Sequence, residues 1–159
     1  MNAAHLHLLL NHVPILASGF ALFFLLIAGI GRSGRHLAAS GEILLLFALV
    51  TGIAAYLTGE PAEDVVEGMP GVRAALIETH EQRALPAAAI TAIAGGLAVA
   101  ALLARARRRQ PAPALARMVA VAALLSFLSL SYAGHAGGLI HHPEAGGGPP
   151  VTGETRGSE

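Results

Sequence analysis

The chain has 159 residues, of which 54% are hydrophobic and only 13% are charged, and its formal net charge is zero. Soluble domains carry about a quarter charged residues, so these figures and a mean hydropathy of +0.62 exclude most soluble folds. All ten basic residues are arginine, and the neutral balance gives no electrostatic basis for binding nucleic acid. Because the chain has no cysteine, any bound metal must use nitrogen and oxygen ligands.

Four apolar stretches, at about 6–30, 41–57, 84–103 and 115–132, are long enough or nearly long enough to cross about 30 Å of hydrocarbon. They are apolar or small on every side, which favours membrane spans over a soluble helical core. The sequence therefore predicts an all-α fold, an up-down bundle of four transmembrane helices within residues 1–142. Residues 143–159, rich in glycine and proline, are predicted to be a disordered tail.

A loop of about 26 residues, 58–83, separates the second and third predicted spans. Pro61 is a favourable first residue of a helix, and the valines and other apolar residues after it have helical spacing. Pro70 and Gly71 should interrupt such a helix. The sequence predicts at least one short amphipathic helix in this central loop, lying on the surface of the bundle.

The arginines predict the orientation of the bundle. The connections after the first and third spans hold seven of the ten: Arg32, Arg35, Arg105, Arg107, Arg108, Arg109 and Arg117. Arginine-rich short loops remain in the cytoplasm. The sequence thus predicts a multi-pass protein of a bacterial inner membrane, with both termini in the periplasm.

Histidines and acids gather at the opposite face. Seven of the eight histidines belong to this predicted outer face: His5, His7, His12, His80, His135, His141 and His142. In an up-down bundle the start of the first helix, the end of the second, the start of the third and the end of the fourth lie at one face. Residues that are remote in sequence can therefore form one polar pocket there.

At this outer face, four residues each lie within about a turn of a predicted helix end: His12, Glu60, His80 and His135. Imidazole and carboxylate without thiolate suit iron, copper or zinc, and two imidazoles suit the iron of haem b. The predicted metal ligands are His12, Glu60, His80 and His141, and the predicted cofactor-binding residues are His12, His80, His135 and His141. The alternative for each histidine is a polar residue at the headgroup level with no ligand.

Four short motifs resemble a known family. They are His12-Val13-Pro14-Ile15, Thr58-Gly59-Glu60, His80 at the start of the third span, and Gly137-Gly138-Leu139-Ile140-His141. In this order they resemble the bacterial four-span membrane family called domain of unknown function 2231. The resemblance covers roughly residues 6–142 and singles out His12, Glu60, His80, Gly137, Gly138 and His141. It implies a four-span fold but no established activity, and this chain has glutamate where the family often has aspartate.

Two functional hypotheses follow. The first is a periplasm-facing site for a transition metal or b-type haem with a redox or electron-transfer role, exchanging electrons with quinol or a periplasmic carrier. Buried polar groups near hydrocarbon are costly and usually functional, which favours this reading. The second is a non-catalytic accessory or scaffold subunit of a larger membrane complex, whose small-residue helix faces pack against partners. The sequence leaves open whether the protein is an enzyme.

Overall fold

A computed structural model describes residues 2–30 and 34–142, together with Ala145 and Gly147, and of His141 it describes the backbone only. Helices account for nearly all of this described part, in which there is no strand. The helices are α1 (Ala3–Leu10), α2 (His12–Ile30), α3 (Gly34–Leu57), α4 (Gly59–Val66), α5 (Ala74–Ala106) and α6 (Pro113–His141). Most of the predicted tail therefore lies outside the described residues.

Four segments of the structure are long and apolar enough to cross a membrane: α1 with α2, α3 with α4, α5, and α6. The protein is therefore a multi-pass, all-α membrane protein, as the sequence predicts. The helices contain the four predicted apolar stretches and extend beyond them. The 33 residues of α5 measure about 50 Å, well over the thickness of the hydrocarbon core. The extra turns at the start of α5 carry polar residues, including His80.

The first crossing is broken at Asn11, between α1 and α2. Pro14 has no N–H, so the carbonyl of Leu10 cannot accept the usual helical hydrogen bond, and α1 ends there. At its other end α1 is capped by Asn2, whose Oδ1 accepts from the His5 N–H at 2.9 Å. The predicted amphipathic helix of the central loop is confirmed as α4, and a turn with Gly68 and Gly71 at positive φ separates it from α5.

Small residues form the interior of the bundle. On α5 the inward stripe alternates spacings of three and four, running Ile77, His80, Ala84, Ala87, Thr91, Ala94, Ala98, Ala101 and Arg105. Alanine and glycine let helix backbones approach closely, which is the main source of packing energy between helices in lipid. The ends of this stripe define two regions. We call the end near His80 the histidine end and the end near Arg105 the arginine end.

At the arginine end a buried ion pair joins α3 to α5. Glu42 is 1% exposed, and its two carboxylate oxygens accept hydrogen bonds from Nε and Nη2 of Arg105 at 2.8 and 2.9 Å. This two-point geometry is the strongest form of such a pair. In the middle of the bundle, Thr91 and Ser126 share a buried hydrogen bond of 2.8 Å, which joins α5 to α6.

Candidate binding site at the histidine end

The imidazole rings of His7 and His80 face each other at the histidine end. Their centroids are 6.2 Å apart and their planes are inclined at 79°. His7 is supplied by α1 and His80 by the first turns of α5. Both side chains are half-buried. The pair is thus built from two helices that are remote in sequence, as the up-down topology allows.

Hydrogen bonds to main-chain carbonyls orient both rings. Nδ1 of His7 lies 3.0 Å from the carbonyl oxygen of Ala55 on α3, and Nδ1 of His80 lies 2.9 Å from that of Ala133 on α6. A carbonyl oxygen only accepts, so each Nδ1 must carry the hydrogen. In a neutral imidazole this leaves the lone pair on Nε2. Both rings therefore have an Nε2 that can bind a cation or accept a hydrogen bond.

Thr58 gives His7 a second contact at the end of α3. Its Oγ1 lies 3.2 Å from Nδ1 of His7 and itself donates to the carbonyl of Ala54 at 3.0 Å. The hydroxyl is therefore an acceptor toward the ring, in agreement with a hydrogen on Nδ1. This arrangement ties the short helix α1 to the end of α3.

Gly137 makes room for the His80 ring on the α6 side. A Cβ at this position would lie 3.0 Å from Cε1 and 3.1 Å from Nδ1 of His80, closer than ordinary side-chain contacts. At the adjacent Gly138 a Cβ would meet nothing within 4 Å. The structure therefore gives a steric reason for the first glycine of this pair and none for the second.

The two imidazoles line a cleft of about 600 Å³ at the end of the bundle. Glu60, Glu63 and Glu81 belong to its wall and bring three acidic side chains to the cleft. A smaller cavity of about 80 Å³ continues from the same imidazoles toward Thr91 in the middle of the bundle.

Asn11 lines both spaces, at the break between α1 and α2. Its side-chain oxygen Oδ1 is buried, and no donor among the described residues reaches it. Buried polar atoms are nearly always hydrogen-bonded, because leaving one without a partner costs about 1–3 kcal/mol. This oxygen is therefore a position at which a ligand would be favoured.

The structure separates the residues that the sequence singles out. His80 belongs to the imidazole pair, and Glu60 is exposed on the wall of the cleft. His12 is exposed, with Nδ1 3.2 Å from the carbonyl of Leu8, and His135 is exposed on α6. The side chain of His141 lies outside the described residues. No group of three or more histidine or acidic side chains within the described ranges is arranged to hold a metal ion.

Sequence reasoning missed His7 and Asn11 as site residues. Both extend the inward stripe of the first crossing, where Pro14, Ser18 and Ala21 are buried. Counting back from Pro14 by three and then by four gives Asn11 and His7, whereas His12 falls on the outward side. This spacing could have predicted that His7 and Asn11 lie on the inward side. The prediction requires that the helical register be continued through the break at Asn11.

The fold and the site define a class: a multi-pass, all-helical membrane protein with paired imidazoles in a cleft at one end of its bundle. No protein-family model, no curated protein and no solved structure matches the chain. The resemblance to domain of unknown function 2231 therefore stays a prediction, and the function must be argued from the site itself.

Proposed function

We propose that this protein binds a transition-metal ion between His7 and His80, on the periplasmic side of a bacterial inner membrane, and uses it in a redox or electron-transfer role. One observation carries the proposal: both rings have Nδ1 hydrogen-bonded to a main-chain carbonyl, which leaves two Nε2 lone pairs in one cleft. Histidines that bind metals almost always donate their other ring N–H in this way, because the hydrogen bond fixes the ring and raises its basicity.

The separation of the rings supports the same assignment. Two metal–nitrogen bonds of about 2 Å each, extended by half a ring at both ends, place the centroids of two imidazoles about 6 Å apart when the two bonds are collinear, and about 5 Å apart at a tetrahedral angle. The observed separation is 6.2 Å. An ion held by two imidazoles keeps further coordination positions, which the cleft leaves open to a water, a carboxylate or a substrate.

The ligand chemistry favours iron, copper or zinc, because imidazole suits all three and no thiolate is present. A redox role narrows these to iron and copper, since zinc does not change its oxidation state. Two imidazoles are also the ligands of many b-type haems. The acidic residues on the wall of the cleft favour a free ion over haem, because carboxylates are common ligands of free ions and not of haem iron.

The charge distribution supports the orientation. The arginine end carries the exposed Arg107, Arg108 and Arg109 directly after α5, and basic residues of short loops remain on the cytoplasmic side. The histidine end then faces the periplasm, where an ion site is accessible to quinol in the membrane or to a periplasmic electron carrier.

The test is purification of the full chain in mild detergent with a tag that contains no histidine, followed by elemental analysis, a visible spectrum and titration with copper and zinc. We expect stoichiometric binding of one ion in the wild-type protein. His7→Ala and His80→Ala should each lose it when ion and protein are equimolar, because a single imidazole binds the ion much more weakly than two. A Soret band would assign the site to haem instead of a free ion.

Two control variants and one test of the family resemblance accompany this experiment. His5→Ala and His12→Ala remove exposed imidazoles of the same end, and they should bind the ion as the wild type does. His141→Ala tests the residue that the family resemblance singles out. Retention of the ion in both His7→Ala and His80→Ala would contradict the proposal, and loss in His12→Ala and His141→Ala would restore the ligand set predicted from the sequence.

A further inference from the structure

We propose that the cleft beside the imidazole pair binds a membrane quinol, a neutral aromatic diol with an apolar tail; this inference rests on the redox role proposed above. A single ion fills only a small part of the cleft. Even a water molecule occupies about 30 Å³, whereas the cleft measures about 600 Å³. The volume lies within the range of about 300–1,000 Å³ that is typical of sites for small organic ligands.

The wall of the cleft is apolar over much of its area. Aliphatic and aromatic side chains from five helices contribute to it: Leu8, Tyr56, Leu57, Val66, Ile77, Leu85 and Ile140. Four of these residues, Leu8, Tyr56, Leu57 and Leu85, lie at the outer ends of predicted spans. We therefore expect the cleft to lie near the headgroup level, where the polar ring of a molecule dissolved in the bilayer would also lie.

The polar groups of the cleft select the chemistry of the ring. Oδ1 of Asn11 is a buried acceptor without a donor among the described residues, and Glu60, Glu63 and Glu81 add carboxyl groups. No arginine belongs to the described lining, and the nearby guanidinium of Arg83 lies over the ring of Tyr132, 3.9 Å from its centroid. Anionic headgroups are therefore disfavoured, and a neutral ligand with hydroxyl donors is favoured.

A quinol satisfies these conditions together. One hydroxyl donates to Oδ1 of Asn11, and the apolar tail lies along the aliphatic wall. Glu60, Glu63 and Glu81 also line the cleft, and their carboxylate oxygens can accept from a second hydroxyl. The corresponding quinone has the same shape but only acceptors, so it leaves the Asn11 oxygen without a partner. The site should therefore prefer the reduced form.

The experiment measures a short-chain alkyl benzoquinol and its benzoquinone bound to the full chain in lipid nanodiscs, against empty nanodiscs, with zinc as the bound ion because zinc cannot oxidise the quinol. We expect the quinol to bind about fivefold to about 150-fold more tightly than the quinone, which is the range that corresponds to one buried acceptor left unpaired. Asn11→Leu should remove this preference, and Asn11→Asp should restore it by returning an acceptor.

The matched control is Gln82→Leu. It removes an exposed side-chain amide that does not line the cleft and that donates a hydrogen bond to Glu78. It should leave quinol binding unchanged. Equal binding of quinol and quinone, or an equal loss in Gln82→Leu and Asn11→Leu, would overturn the inference. Zinc content measured on the same samples separates the two proposals: zinc that is retained in His7→Ala and His80→Ala contradicts the ion site, whatever the quinol does.

Discussion

The two ends of the bundle treat buried polar groups in opposite ways. At the arginine end the carboxylate of Glu42 and the guanidinium of Arg105 satisfy each other through two hydrogen bonds. At the histidine end each imidazole uses Nδ1 to fix its orientation and keeps Nε2 available, and no donor among the described residues reaches the side-chain oxygen of Asn11. A saturated polar group stabilises a fold, whereas a preoriented and unsaturated one is suited to bind a ligand.

The difference between the arginine end and the histidine end has an energetic basis. Removing a charged group from water costs several kcal/mol, so a buried pair persists only when its geometry is good and its hydrogen bonds are complete. In the Glu42–Arg105 pair both carboxylate oxygens are hydrogen-bonded to the one guanidinium. The acceptors at the histidine end line a cleft, where water or a ligand can satisfy them.

The largest effect is expected at the arginine end. Glu42→Ala should lower the free energy of unfolding by about 1.5–3 kcal/mol, because it removes both hydrogen bonds between the carboxylate and the largely buried guanidinium of Arg105. Thermal or denaturant unfolding in detergent measures the loss. The double variant Glu42→Leu with Arg105→Leu should recover most of the stability, since no charge then remains buried.

Arg107→Ala is the matched control, because Arg107 is exposed beyond α5. It should change stability little. If Glu42→Ala were no more destabilising than Arg107→Ala, the ion pair would not be a structural element. Ion binding at the other end should remain intact in Glu42→Ala protein that is still folded, and its loss would show that the two ends are not independent.

An intermediate effect is expected from the glycine pair of α6. Gly137→Ala should weaken ion binding about tenfold, because its Cβ displaces the His80 ring and disturbs the hydrogen bond between Nδ1 and Ala133. Gly138→Ala adds the same methyl group where nothing lies within 4 Å, and should bind as the wild type does. Ion titration compares the two. Equal affinities would mean that the orientation of His80 does not control binding.

The smallest effect is expected in the middle of the bundle. Ser126→Ala removes the hydrogen bond to Thr91, but Oγ1 of Thr91 still lies 2.8 Å from the carbonyl of Ala87 and keeps a partner. Hydrogen bonds between transmembrane helices contribute about 0.6 kcal/mol on average, so the free energy of unfolding should fall by about that amount. Ser40→Ala, at an exposed serine, is the control for the unfolding measurements. A loss above about 2 kcal/mol in Ser126→Ala would show that the Thr91–Ser126 hydrogen bond contributes more than an average bond between transmembrane helices.

The fold was predictable because hydrophobicity determines it in a simple way, whereas the orientation inferred from the arginines stays a prediction. Apolar length fixes the four crossings, and Pro61, Pro70 and Gly71 mark the helix and the turn of the central loop. The helical extensions were not predictable from hydrophobicity. The polar turns at the start of α5 are helical because they pack against the neighbouring elements, and the hydrocarbon scale does not measure that packing.

The site was only partly predictable. His80 follows from its place on the α5 stripe. His12 was chosen over His7 because it lies within about a turn of a predicted helix end, and that criterion does not use the direction of the side chain. The same stripe, continued to Arg105, also points to the partner of Glu42. Sequence reasoning treated Arg105 as a marker of orientation and Glu42 as an isolated acid, because a pairing across 63 positions has no local signal.

If His7 and His80 bind one ion together, pulsed electron paramagnetic resonance of the copper(II)-loaded full chain should detect both imidazoles on the same ion. We expect two coordinated imidazole nitrogens in the wild type and in His12→Ala, and only one in either His7→Ala or His80→Ala at saturating copper. A wild-type spectrum that persists unchanged in both single variants would show that His7 and His80 do not bind the ion.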